Sequence, residues 1–184
     1  LVKLPDAIDD RTAAAMMLQG LTSRYLIRDV FPLKADDTIL VHAAAGGVGL
    51  ILCQWAAQLG ATVIGTVSTD AKADLARKNG CHHVIVYTRE DFPTRLLEIT
   101  GGKKLPVVYD SVGKDTFMKS LDCLKPRGLM VTYGQSSGPI GPVDLGILGT
   151  KGSLVLTRPT LATFTSTKER LRDSSADLFD AVLS

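Results

Sequence analysis

From Thr38 to Thr69 the chain runs TILVHAAAGGVGLILCQWAAQLGATVIGTVST without one charged side chain. A water-soluble chain can keep so long a neutral run only by hiding it. A membrane span needs about 20 apolar residues, and the run is long enough, but its grammar differs. Ile39, Leu40 and Val41 make a short apolar run of the kind that forms a buried strand. Gly46, Gly47 and Gly49 interrupt it. Leu50 to Leu59 has helical composition and Gly60 supplies a stop. Thr62 to Val67 is rich in β-branched residues and reads as a second strand. Strands of a parallel sheet are covered on both faces and carry continuous apolar runs. The segment therefore reads as strand, glycine turn, helix and strand in the interior of such a sheet, not as a membrane span.

The rest of the chain repeats that rhythm. Asp9 or Asp10 can cap a helix through RTAAAMMLQGLTSRYLIRD. TDAKADLARKNG reads as a helix ending at Gly80, HHVIVY as a third strand and EDFPTRLLEITGG as a helix stopping at Gly101. LPVVYDSVG gives a fourth strand and loop. DTFMKSLDCLKPRG reads as a helix broken at Pro126, GLMVTYG as a fifth strand, GSLVLTRP as a sixth and TSTKERLRDSSADLFDAVLS as a last helix. Strands alternating with helices predict an α/β fold of the Rossmann type: a doubly wound, parallel, six-stranded sheet with helices on both faces and right-handed crossovers.

A chain of 184 residues with 45% hydrophobic and 22% charged residues fits one globular domain or one domain plus a piece. A net charge of +2 and the absence of a long basic run give no argument for nucleic acid or a membrane surface. Cys53, Cys81 and Cys123 are odd in number and widely spaced, which matches neither a disulfide framework nor a zinc pattern. They read as buried thiols in a reducing cytoplasm. The opening LVKLPDAID has no initiator Met and no signal peptide, and the closing DLFDAVLS lies within a helix. The chain is expected to be one part of a longer polypeptide.

Ala44, Gly46 and Gly49 follow an Ala-x-Gly-x-x-Gly spacing, with Ala where the common dinucleotide fingerprint has Gly. Gly46 would let the backbone approach a pyrophosphate, and Gly49 would let the helix pack closely on the strand. The amides of Gly47 and Val48 stand at a helix N-terminus, where the dipole favours an anion. Tyr25, Tyr87, Tyr109 and Tyr133 all lack a Lys four residues on, which disfavours the short-chain dehydrogenases.

VHAAAGGVG, GATVIGTVSTDAKADLARKNG, VVYDSVG, LDCLKPRGLMVTYGQSSG and LGILGTKGSLVLTRPTL carry a more specific likeness. With them the chain resembles the zinc-free quinone oxidoreductases of the medium-chain dehydrogenase/reductase superfamily, the zeta-crystallin branch. The likeness spans nearly all of residues 1–184 and corresponds to that family's NADPH-binding Rossmann domain alone. The resemblance implies an N-terminal catalytic domain before this segment and a final segment after it. It also implies NADPH-dependent reduction of a small-molecule quinone, no metal, a cytoplasmic location and a homodimer joined through Gly152–Pro159.

The resemblance carries over residue by residue. Thr22 and Tyr25 match positions near the nicotinamide end, and Gly47 and Val48 match the pyrophosphate turn. Ser68 and Lys72 match residues around the adenosine phosphate, with Tyr87 closing over it. Val112 follows the fourth strand; Tyr133, Gly134 and Ser136 follow the fifth; Pro159, Thr160 and Leu161 follow the sixth. All would sit beyond the carboxyl ends of parallel strands. NAD-selective sites carry Asp or Glu about 20 residues past the turn, whereas Val67, Ser68 and Thr69 stand here. Asp70 is the one objection, but its place in a first helical turn favours an acid on helix grounds alone.

Plainer readings exist for several of these positions. Thr22 can be a helix hydroxyl, Tyr87 a strand-end aromatic and Lys72 a solvated lysine. His42 reads as a satisfied core histidine. His82 and His83 lack partners at metal spacing, and RLRDSSADLFD reads as a solvated helix face. No general acid or nucleophile constellation is visible, so no catalytic residue is assigned to this segment, and alone it is expected to bind cofactor without efficient turnover. The rival readings are an enoyl or alkenal reductase of the same superfamily and a non-catalytic, crystallin-like NADPH-binding protein.

Overall fold

The computed structural model describes residues 1–184. Six parallel strands, β1 (Thr38–Val41), β2 (Thr62–Val67), β3 (His83–Val86), β4 (Leu105–Asp110), β5 (Leu124–Thr132) and β6 (Val155–Thr157), form one sheet in the order β3-β2-β1-β4-β5-β6. The order reverses between β1 and β4, which is the switch point of a doubly wound fold. Alternation along β1 shows how both faces are covered. Ile39 and Val41 enter one apolar core, while Leu40 enters the other. The first core is closed by helices α1 (Asp10–Tyr25), α2 (Gly47–Gln58), α3 (Asp70–Lys78) and α8 (Lys168–Leu183). The second is closed by α4 (Phe92–Ile99) and α5 (Phe117–Asp122).

Local chemistry sets the helix starts. The carboxylate of Asp9 accepts from Thr12 N at 2.8 Å, the hydroxyl of Thr69 caps α3, Asp91 caps α4 and Thr167 caps α8. The first helix runs on into a π-helical turn, Leu26–Val30, whose Leu26 and Ile27 are fully buried. Leu178 of α8 lies against Gly20 of α1 so closely that a Cβ on Gly20 would stand 2.4 Å from Leu178 Cδ1. Arg24 Nε adds an ion pair to Asp177 at 2.9 Å. No helix is long and apolar enough to cross a membrane.

Three expectations need correction. The helix expected to break at Pro126 ends at Asp122, and Pro126 lies inside β5. Its strand begins with a bulge: Leu105 pairs with Leu124, but Val107 already pairs with Leu129. Pro126 cannot donate a ladder bond, and Arg127 takes a left-handed φ of 63°, so the extra residues loop out. The sixth strand is short, Val155–Thr157 rather than the whole of GSLVLTRP. Two short helices, α6 (Gly146–Thr150) and α7 (Leu161–Phe164), flank it without an apolar period that would announce them. The final helix is solvated on one face only; Ser174, Ser175, Leu178 and Phe179 are buried.

Candidate functional site

Beyond the carboxyl ends of β1, β2, β3 and β4 lies a cleft of about 430 Å³. Its wall at the switch point is the turn from β1 to α2. Ala43 holds a left-handed φ of 51°, and Gly46 N bonds back to Ala43 O at 2.8 Å. A Cβ on Gly49 would stand 2.3 Å from Ala43 O, so only glycine lets α2 start this close to the strand. Gly46 has no side chain to cap α2, and no backbone carbonyl accepts from the amides of Gly47, Val48 or Gly49. Three donors are thus left at the positive end of the helix dipole.

The floor is a buried polar relay. Ser120 Oγ donates to Thr116 O at 2.8 Å, so it must accept from His42 Nε2 at 2.9 Å. His42 Nδ1 then accepts from the Thr66 hydroxyl at 2.8 Å. The ring is neutral, and burial pushes its pKa below the usual histidine range, with Asp110 opposing. Asp110, fully buried at the end of β4, accepts from Val112 N at 2.7 Å, Gly113 N at 3.1 Å and Thr116 Oγ1 at 2.7 Å. It fixes the loop that presents Val112 to the cleft.

At the other end of the cleft Lys72 Nζ donates to Ser68 Oγ at 3.2 Å and has no carboxylate partner. Thr88 Oγ1 donates to Ser68 O at 3.1 Å, tying together the loops after β2 and β3. Tyr87, 45% exposed, stands above them. Arg89 and Asp70 form a two-pronged pair across the same loops, at 2.9 and 2.6 Å. That guanidinium holds the Asp70 carboxyl below the ordinary carboxylate range.

Of the residues singled out from the sequence, Gly46, Ser68, Lys72, Tyr87, Val112 and Ser136 line this one cleft. Gly47 and Val48 open the helix beside it. The others lie outside its lining. Thr22 Oγ1 donates within its own helix to Leu18 O at 2.8 Å. Tyr25 stacks on Phe164 with ring centres 4.6 Å apart. Tyr133 keeps a buried hydroxyl without a partner. Gly134 O accepts from Arg158, which also reaches Thr132 and Gln135 and so braces the loop after β5 against the end of β6. Pro159 follows β6, Thr160 opens α7 and its hydroxyl meets that of Thr163 at 3.1 Å, and Leu161 packs on the first core.

Several contributors escaped the sequence reading. Thr116 and Arg89 lie outside the segments that carry the likeness, Asp110 and Arg158 lie within VVYDSVG and LGILGTKGSLVLTRPTL without an assigned role, and all four are recognised only by what the fold brings to them. Asp110 alone left a trace, as an acid at the end of an apolar strand, where a carboxylate must find donors. Cys53 and Cys81, 28 residues apart, meet with sulfurs 3.4 Å apart under the turn.

A profile described as zinc-binding dehydrogenase matches residues 47–179. The chain belongs to this family. It is 56% identical over 182 residues to a quinone oxidoreductase of Pseudomonas aeruginosa, covering 99% of this chain and 56% of that protein. A 2-haloacrylate reductase from Burkholderia is 51% identical over 185 residues, covering 99% of this chain and 56% of the reductase. The crystal structure of the Escherichia coli quinone oxidoreductase complexed with NADPH matches with a TM-score of 0.96 at 56% identity, over 97% of this chain and 55% of that one. The chain thus spans about half the length of these relatives. Despite the family's description, no three His, Cys, Asp or Glu side chains converge in this chain. It holds no zinc-ligand set of its own.

Proposed function

We propose that residues 1–184 form the NADPH-binding domain of a cytoplasmic, homodimeric NADPH-dependent quinone reductase. The observation that carries this reading is Lys72, unpaired with any carboxylate and bonded to Ser68 at the edge of the cleft. A cation and a hydroxyl on the loop after β2 fit a 2′-phosphate. The free amides of Gly47, Val48 and Gly49 fit a pyrophosphate. NADPH of the relative from Escherichia coli, at 56% identity, supports the same choice.

When bound, NADPH supplies the hydride that reduces a quinone. This chain's part is to bind and orient. Ser68 and Lys72 would hold the 2′-phosphate, Gly46 to Val48 the pyrophosphate, Tyr87 and Val112 the adenosine between them. Tyr133, Gly134 and Ser136, with Pro159, Thr160 and Leu161, would line the approach to the nicotinamide, with Thr22 and Tyr25 behind it. No general acid is assigned to this segment. The substrate pocket is assigned to an N-terminal catalytic domain of the longer polypeptide, and a final segment to its end.

The 2-haloacrylate reductase relative favours a second reading, reduction of an activated carbon–carbon double bond. Steady-state turnover by the full-length protein, with NADPH against 1,4-benzoquinone and 2-chloroacrylate, separates them. Faster quinone turnover per KM is expected. Preference for the haloacrylate would reverse the assignment. Tight NADPH binding with neither substrate consumed would mark a non-catalytic binding protein.

A further inference from the structure

Asp70 stands about 20 residues past the glycine turn, where an acid normally accepts the ribose hydroxyls of NADH and repels a 2′-phosphate. It is two residues from Lys72 on the first turn of α3 and exposed. Its carboxylate is not free. Arg89 reaches it from the loop after β3 with both terminal nitrogens, Nη1 to Oδ2 at 2.9 Å and Nη2 to Oδ1 at 2.6 Å. This fork-to-fork geometry occupies both oxygens and cancels their charge.

The loops carrying the pair leave the sheet side by side. In the parallel register Val67 faces Val86, so Ser68 to Asp70 and Tyr87 to Arg89 emerge together, joined again by Thr88 on Ser68. Ser68 and Tyr87 of these two segments, with Lys72, line the cleft, whereas Asp70 and Arg89 stand just outside its lining. The side chains of the pair are 57% and 71% exposed, and a pair this wet adds little to stability.

We infer that Arg89 is a specificity-positioning residue: by clamping Asp70 it masks the acid that would otherwise favour NADH, and so tips the site toward NADPH. This rests on reading the Ser68 and Lys72 end of the cleft as the 2′-phosphate site. Arg89 acts through Asp70 and need not touch the cofactor. With Arg89 removed, Asp70 regains a full charge beside the phosphate and two open acceptors for ribose hydroxyls.

The test is calorimetric titration of the full-length protein with NADPH and NADH, for the parent, Arg89→Ala, Arg89→Lys, Asp70→Ala and the double variant. For Arg89→Ala, NADPH affinity is expected to fall roughly three- to tenfold at low salt, with NADH held or tightened. The loss should fade toward 1 M salt, where the screening length is about 3 Å. Asp70→Ala and the double variant should keep the parent's preference, Arg89→Lys should recover part of it, and the melting temperature should not move in any of them. An unchanged NADPH-to-NADH ratio in Arg89→Ala overturns the inference. So does an equal loss in the double variant, which would mean that Arg89 binds the phosphate itself. A parent that binds neither cofactor, or both equally, instead removes the NADPH reading on which the inference stands.

Discussion

Asp110 accepts the Thr116 hydroxyl at 2.7 Å on one carboxylate oxygen, while its other oxygen holds the amides of Val112 and Gly113. One buried side chain thus ties the end of β4, the loop at the cleft and the start of α5. Removing it leaves the amides of Val112 and Gly113 without an acceptor, each costing about 1–3 kcal/mol, while the Thr116 hydroxyl keeps only Gly113 O at 3.3 Å. Asp110→Ala is expected to lose about 3 kcal/mol or more in urea unfolding at pH 7, and Asp110→Asn less, since its carbonyl still serves one side. A loss under 1 kcal/mol for the alanine variant would show that the loop is held by other means.

How much of this was legible in the sequence depends on whether the information is local. The uncharged run, Gly49 and the β-branched run of β2 announced the sheet, because burial on two faces and close helix packing demand those residue types. Where a competing preference acts, local composition misleads. Pro126 looked like a helix break, yet the strand absorbs it in a bulge beside Arg127. Ser68, Lys72 and Val112 were placed by resemblance, and the fold gathers them on one cleft. Arg89 gives no local signal, and Asp110 only that of an acid ending an apolar strand, because their partners are fixed by strand order and loop geometry, which no short pattern encodes.

Lys72→Ala probes the phosphate lobe. A charge-assisted bond to a 2′-phosphate is worth about tenfold to a hundredfold in affinity. NADPH binding should weaken by that factor while NADH binding changes little. Equal losses for the two cofactors in calorimetry would remove Lys72 from the site.

His42 predicts a pH dependence. Its folded pKa is depressed by burial, so the unfolded chain takes up a proton first. Stability is complete above the ordinary histidine pKa of about 6.5 and falls as the pH drops below it. Between pH 6.5 and 5 the parent should lose stability more steeply than His42→Gln, whose side chain does not titrate. Parallel slopes in thermal melts across that range would contradict the neutral ring assigned to the relay.

The sheet ends at β6, and Val155 on it is 52% exposed. An open strand edge invites pairing with a second copy, so the proposed homodimer would join through Gly152–Pro159, antiparallel about a two-fold axis. Sedimentation should find the parent dimeric at micromolar concentration and Val155→Lys largely monomeric. A monomeric parent, or a variant as dimeric as the parent, speaks against this edge.

Leu178 seated on Gly20 has a consequence for how the chain is made. A ribosome delivers Gly20 of α1 long before Leu178 of α8. Through that interval the face of α1 that bears Gly20 waits for a cover that does not yet exist. At about 5–20 residues per second, the sixteen residues of α8 need roughly one to three seconds to emerge. Until they do, the nascent sheet presents a greasy flank to solvent, and that interval is when a chaperone has most to protect.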